Sequence, residues 1–255
     1  MPQFITRAKS PRTTVEPRSP ARKTAVIATG LAAWFAWAAY AGATDIFAAG
    51  PESVFRPVVL AMVGPVAIFL AAYVASPRFR AFVLSRDLVF LTGLQHWRVI
   101  GFSFLALYAA GALPGGFAWP AGLGDVFMGL TTPLILLPLA RRPNFARGAR
   151  FVAWNLLGLL DFAVALTAAT LTSGAVAGIL APGGLTSAPM EVWPLFLFPG
   201  FIVPLFIMAH LSVLFQVAAL RRVGAQGDPQ PTAQPSMVSI ATRLPCCAVR
   251  LCWGS

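Results

Sequence analysis

The sequence predicts an all-α membrane protein, a bundle of about six transmembrane helices with both termini in the cytoplasm. Three observations lead there. Hydrophobic residues make up 58% of the 255 and charged residues only 11%, against roughly 45 to 50% apolar in soluble domains, so a soluble fold of this length would lack the polar surface to cover itself. The apolar residues gather in about six runs near the 20 residues that a helix needs to cross hydrocarbon. Lys and Arg outnumber Asp and Glu by 19 to 8 and sit in short clusters at every second break between runs, the pattern that sets orientation in a bilayer. The clustering also argues against reading the +11 net charge as a nucleic-acid surface, since no basic and aromatic face is assembled.

Residues 1–23 are rich in Pro, Ser, Thr and basic side chains and read as a disordered basic tail. Residues 24–43 form the first span. Its Ala41-Gly42-Ala43 ending resembles a signal-peptidase site, but the run is longer than the roughly 7 to 15 residues of a signal core and more spans follow, so an uncleaved anchor is expected. Ala28, Ala32 and Ala36 form a small-residue row suited to close helix packing. Residues 57–76 make the second span, interrupted by Gly64-Pro65 and followed by the basic turn PRFRAFVLSR. Residues 88–113 make the third. Residues 122–140 make the fourth, with Pro133 and Pro138 inside it and RRPNFARGAR after it. Residues 151–172 make the fifth, and 173–193, with one charge at Glu191, read as an outer loop dipping into the interface. Residues 194–220 make the sixth, broken by Pro199 and Pro204 and stopped by Arg221-Arg222. Residues 223–255 read as a disordered cytoplasmic tail. It carries all three cysteines, Cys246, Cys247 and Cys252, whose spacing lacks the paired pattern of a zinc site; palmitoylation is one expectation for them and a tail without a role is the other.

Orientation follows the basic clusters. Arg7 to Lys23, Arg78 to Arg86, Arg141 to Arg150 and Arg221-Arg222 fall on one side. The intervening loops carry Asp45, Glu52, Glu191 and a lone Arg56. The expected location is a bacterial inner membrane, with Tyr40, Trp119 and Trp193 near the outer border and Trp154 near the inner.

Function must be sought among polar residues inside the spans. Asp161 lies about 16 Å along its helix from Arg150, His210 about 16 Å from Arg221, and Arg98 about 18 Å from Arg86 at 1.5 Å per residue. All three fall near the midplane of a core of half-thickness about 15 Å. A lone charge there costs at least about 2.5 to 3.5 kcal/mol, so an Arg98–Asp161 ion pair with His210 close by is expected. The alternative for Arg98 is an inner-face anchor that snorkels to the headgroups, with the third span entering at Trp97. Gln95 and Asn155 join the candidates as polar residues at membrane depth, Asn155 and Gln216 reading more simply as interhelical glue. Asp125 follows Gly-Leu-Gly at the expected start of the fourth span, where an acid suits the positive helix end.

No Gly-rich phosphate loop, HExxH or G-x-S-x-G motif is present, so the expectation leans against an enzyme, and no cofactor is indicated. Two readings of different class remain. One is a small permease or transporter-like protein that takes a small solute at a midplane site, because Pro65, Pro133, Pro138, Pro199 and Pro204 interrupt spans near polar residues. The other is an intramembrane enzyme or metal binder using Asp125, Asp161 and His210, although no metal site is firmly indicated. A membrane scaffold or accessory subunit, with the charges only setting helix pairing, is the non-catalytic form. Beyond the lipid bilayer and such a solute, the sequence names no partner.

Overall fold

The computed structural model describes residues 20–50, 53, 56–174 and 184–226. The expected tails lie almost wholly outside these residues, as do the three cysteines. Among the described residues the protein is all helical, and six helices are long and apolar enough to cross a membrane: Thr24–Ala43, Val58–Ala75, Leu88–Ala109, Gly115–Arg141, Ala149–Leu171 and Phe198–Arg222. The chain is a multi-pass helical membrane protein.

Helix α1 (Pro20–Ala43) is peripheral. Its Ala28, Ala32 and Ala36 face outward, and it docks instead through buried Ala38 and Ala41. Gly42 lets the chain approach the turn that leads into the last span: a Cβ there would stand 2.9 Å from that of Phe196. Helix α2 (Val58–Ala75) is apolar throughout and mostly lipid-facing. The basic turn after it winds into a short surface helix, α3 (Pro77–Leu84), started by the Ser76 hydroxyl accepting from the Phe79 amide at 3.3 Å. Asp87 then caps α4 (Leu88–Gly93), accepting from the Phe90 amide at 2.7 Å. In both cases a short oxygen acceptor satisfies an amide that has no partner inside its helix.

The third span is not one α-helix. After α4 it tightens to a 3-10 helix over Leu94–Gly101 before resuming as α5 (Phe102–Ala109). Three residues per turn bring positions i, i+3 and i+6 into line. The line here is Gln95, Arg98 and Gly101, all buried, while Trp97 and Ile100 are exposed to the lipid side. An α-helical pitch would rotate these polar groups progressively off a common face, so the tight winding holds Gln95 and Arg98 inward together.

Helix α6 (Gly115–Arg141) begins well before position 122, because Phe117, Ala118 and Ala121 are buried against Phe104 and Phe198 and this packing carries the helix through Pro120. Asp125 is therefore well inside a helix, not a cap at its start. Helix α7 (Ala149–Leu171) follows a short 3-10 turn, Pro143–Arg147. The last span opens with a π-helical turn over Phe198–Ile202 and continues as α8 (Val203–Gln226). Arg221 binds the Arg147 carbonyl at 2.7 Å, fixing the ends of α7 and α8 together on the basic side. Trp154 sits in the bundle, its indole donating to the Thr131 hydroxyl at 3.0 Å, whereas Tyr40, Trp119 and Trp193 are exposed.

Candidate functional site

The geometry converges on Arg98, which is fully buried. Its Nε donates to Asp125 Oδ1 at 2.7 Å, its Nη2 to Asp161 Oδ2, and its Nη1 to the Gly158 carbonyl at 3.3 Å. Nη1 also stands 3.4 Å from His210 Nε2, and the guanidinium lies 3.9 Å from the centre of the Phe162 ring. Helices α6, α7 and α8 and the 3-10 segment thus meet at one side chain. The snorkelling alternative is set aside, since no part of Arg98 reaches a surface.

Because the guanidinium can only donate, His210 Nε2 is the acceptor, and the proton of the neutral ring belongs on Nδ1. Nδ1 faces Asn155 Oδ1 at 2.9 Å, and Asn155 Nδ2 donates to the Phe151 carbonyl at 2.8 Å. Asn155 is thus the residue that orients the imidazole. Gln95 stands apart from this network: its amide donates to the Phe206 carbonyl at 3.3 Å, which ties the 3-10 segment to α8. Gln216 does similar work, donating to the Val83 carbonyl at 3.0 Å.

Glycines make the convergence possible. A Cβ on Gly129 would press on the backbone and side chain of Val99 in the 3-10 segment, and one on Gly158 would press on Nε2 of the His210 ring and stand 2.6 Å from its Cε1 and 2.9 Å from the Met128 methyl. At either position a larger residue would hold neighbouring elements apart and open the ring of contacts around Arg98.

Counted as ions, Arg98 carries one positive charge and Asp125 and Asp161 two negative ones, so with neutral His210 the cluster has one unit of negative charge in excess. Asp125 bonds through Oδ1 alone among the described residues. It also lines a cavity of about 730 Å³ of empty space counting its open mouth, of which about 80 Å³ is roomy enough for the centres of water molecules. By that measure one water needs roughly 10 to 15 Å³, so there is space for several. The walls are apolar, with Met62, Phe104, Phe117, Phe162 and Phe198 among them.

At its other end the cavity meets a second buried ion pair, Arg56 Nε to Glu191 Oε1 at 2.8 Å. Arg56 Nη1 and Nη2 donate to the Gly50 and Ser173 carbonyls at 3.1 and 3.0 Å, and Glu191 Oε2 accepts from the Ala49 amide at 2.9 Å. Arg56 is not a lone loop charge. It ties together two connections, that between α1 and α2 and that between α7 and the last span, on the side opposite the basic clusters. Sequence reasoning missed this pair because 135 positions separate its members (191 − 56); the signal that could have found it is one Arg and one Glu left over in otherwise uncharged loops.

The metal reading of Asp125, Asp161 and His210 meets a physical obstacle. Both carboxylates turn an oxygen to Arg98 and His210 Nε2 faces the same guanidinium, so a cation bound between them would have to displace a buried one. Among the described residues no group of three or more His, Cys, Asp or Glu is placed to share a metal ion.

Residues 55–218 match the model of one protein family, described as a domain of unknown function (DUF8737), and this segment contains both ion-pair clusters and the cavity between them. No curated protein and no solved structure matches the chain.

Proposed function

We propose, from the premise that the chain belongs to the DUF8737 family, that it is a small permease-like membrane protein that takes a small solute into the cavity above Asp125. One observation carries the reading: a single cavity is lined both by Asp125, the partner of buried Arg98, and by a second buried ion pair, Arg56 and Glu191. A scaffold needs charges to set helix pairing, but it does not need an acid with one oxygen left unbonded at the floor of an open cavity. Interrupted helices flank the space, as solute sites in transporters have them: Phe198 and Pro199 of the π-helical turn line it directly. The 3-10 segment that carries Arg98 is a second irregular stretch of the kind found at hinges.

In this reading the basic ends of the spans face the cytoplasm of a bacterial inner membrane, and the cavity opens outward. Transport requires that the same position be reached from each face in turn. The test is Ala165→Cys, in a cavity wall, introduced into a chain whose Cys246, Cys247 and Cys252 are replaced by Ser. A membrane-impermeant thiol reagent should label it in right-side-out vesicles and, more slowly, in inside-out vesicles. Labelling from the outer face alone would make the cavity a binding pocket without transport, and labelling from neither face would contradict the reading.

A further inference from the structure

We infer that the cavity accepts a small organic monocation, an ammonium group with an apolar coat, whose charge is set against Asp125. This rests on the solute-site reading above and names the class of solute. Three independent features converge on it. The first is charge. The lining pair Arg56 and Glu191 cancels, and at the other end Asp125 and Asp161, counted as ions, exceed Arg98 by one negative charge. A cation entering the cavity stabilises both carboxylates in their ionised form, and an anion does not.

The second is the free oxygen. Asp125 is 8% exposed and, among the described residues, makes no bond through Oδ2. The third is the wall. Phe104, Phe117, Phe162 and Phe198 line the same space, and the face of an aromatic ring attracts a cation. Phe162 already holds the Arg98 guanidinium, while among the described residues Phe104, Phe117 and Phe198 hold no cation. Hard metal ions want several oxygen ligands, and a wall of phenyl rings and aliphatic side chains offers few. An organic cation suits both the wall and the floor.

The full chain, purified in detergent, is titrated by calorimetry with three molecules of one shape: choline, the alcohol in which carbon replaces the choline nitrogen, and the matching carboxylate. Choline should bind saturably and at least about 10-fold more tightly than the alcohol, the ratio expected from a desolvated cation held by ring faces beside a carboxylate, and the carboxylate should not bind. Asp125→Asn should abolish the preference. Since that change also loosens Arg98, a second variant is needed: Phe104→Leu, still cooperatively folded by its melting, should weaken choline about 2- to 5-fold more than it weakens the alcohol, through the lost ring face. Equal binding of choline and alcohol, tighter binding of the carboxylate, no binding of any of the three, or a preference unmoved in both variants would each overturn the inference. The labelling of Ala165→Cys from two faces is independent of these results, so failure of the solute class and failure of the permease reading are told apart.

Discussion

Replacing Arg98 should cost far more than replacing either acid it binds. Arg98→Ala leaves Asp125 and Asp161 uncompensated inside the bundle, and it empties the space of the largest fully buried side chain among the described residues. Breaking a buried ion pair from one side costs about 3 to 5 kcal/mol. For a protein of this size each kcal/mol moves the melting temperature by about 2 to 4 °C, so a fall of about 6 to 20 °C is expected. Asp161→Asn is different. It leaves Arg98 balanced one to one against Asp125, and the loss is one charge-assisted hydrogen bond of about 1.5 to 3 kcal/mol, lessened by relief of the repulsion between the two acids. The combination Arg98→Met, Asp125→Asn, Asp161→Asn removes every charge and should melt above Arg98→Ala alone, because no uncompensated carboxylate remains. Thermal unfolding of the detergent-solubilised variants, followed by tryptophan fluorescence, measures all three. Equal costs for Arg98→Ala and Asp161→Asn would mean a simple pair, and a combined variant that melts at or below Arg98→Ala would mean that uncompensated carboxylates are not the source of the cost. Either result would refute the reasoning.

Asn155→Leu should destabilise by about 1 to 3 kcal/mol by leaving the Nδ1–H of His210 unpaired, whereas Asn155→Asp keeps an acceptor there and should cost less in the same melts. Gly158→Ala should lose about 1 to 3 kcal/mol by overpacking against His210 and Met128, while Gly64→Ala, with nothing within 4 Å of the added carbon, should be neutral or stabilising by up to about 1 kcal/mol. Arg56→Ala and Glu191→Ala should show a coupling of about 0.5 to 3 kcal/mol in a double-mutant cycle, and independent effects would deny that the pair ties its loops together.

Much of the architecture could be read from composition and depth. The six spans are long apolar runs, and nothing but a membrane accommodates them in a chain of this length. Arg98, Asp161 and His210 share a depth, and the rise of 1.5 Å per residue is enough to bring them to one level. What depth could not give is rotation about each helix. Ala28, Ala32 and Ala36 are evenly spaced yet face outward, because spacing shows that a face is small and not which way it points. Trp154 belongs to the bundle for the same reason. The tightening over residues 94–101 was hidden because a sequence read at 3.6 residues per turn does not separate Gln95 and Arg98 inward from Trp97 outward. Asp125 was legible as an acid and misplaced as a cap: Gly115, Gly116 and Pro120 look like a loop locally, and only the burial of Phe117, Ala118 and Ala121 makes them helix. The partner of Arg56 lies too far along the chain for any local pattern to supply it.

The central claim is that the space above Asp125 is a wet cavity rather than a dry gap in packing. Hydroxyl-radical footprinting of the unmodified protein in lipid nanodiscs tests it without a probe, because radicals form from the water that is there. Met62, Met190 and Phe162 line the cavity, whereas Met128 does not, and all four are buried to 8% exposure or less. Oxidation of Met62, Met190 and Phe162 well above that of Met128 is the result predicted; four residues equally protected would contradict the account.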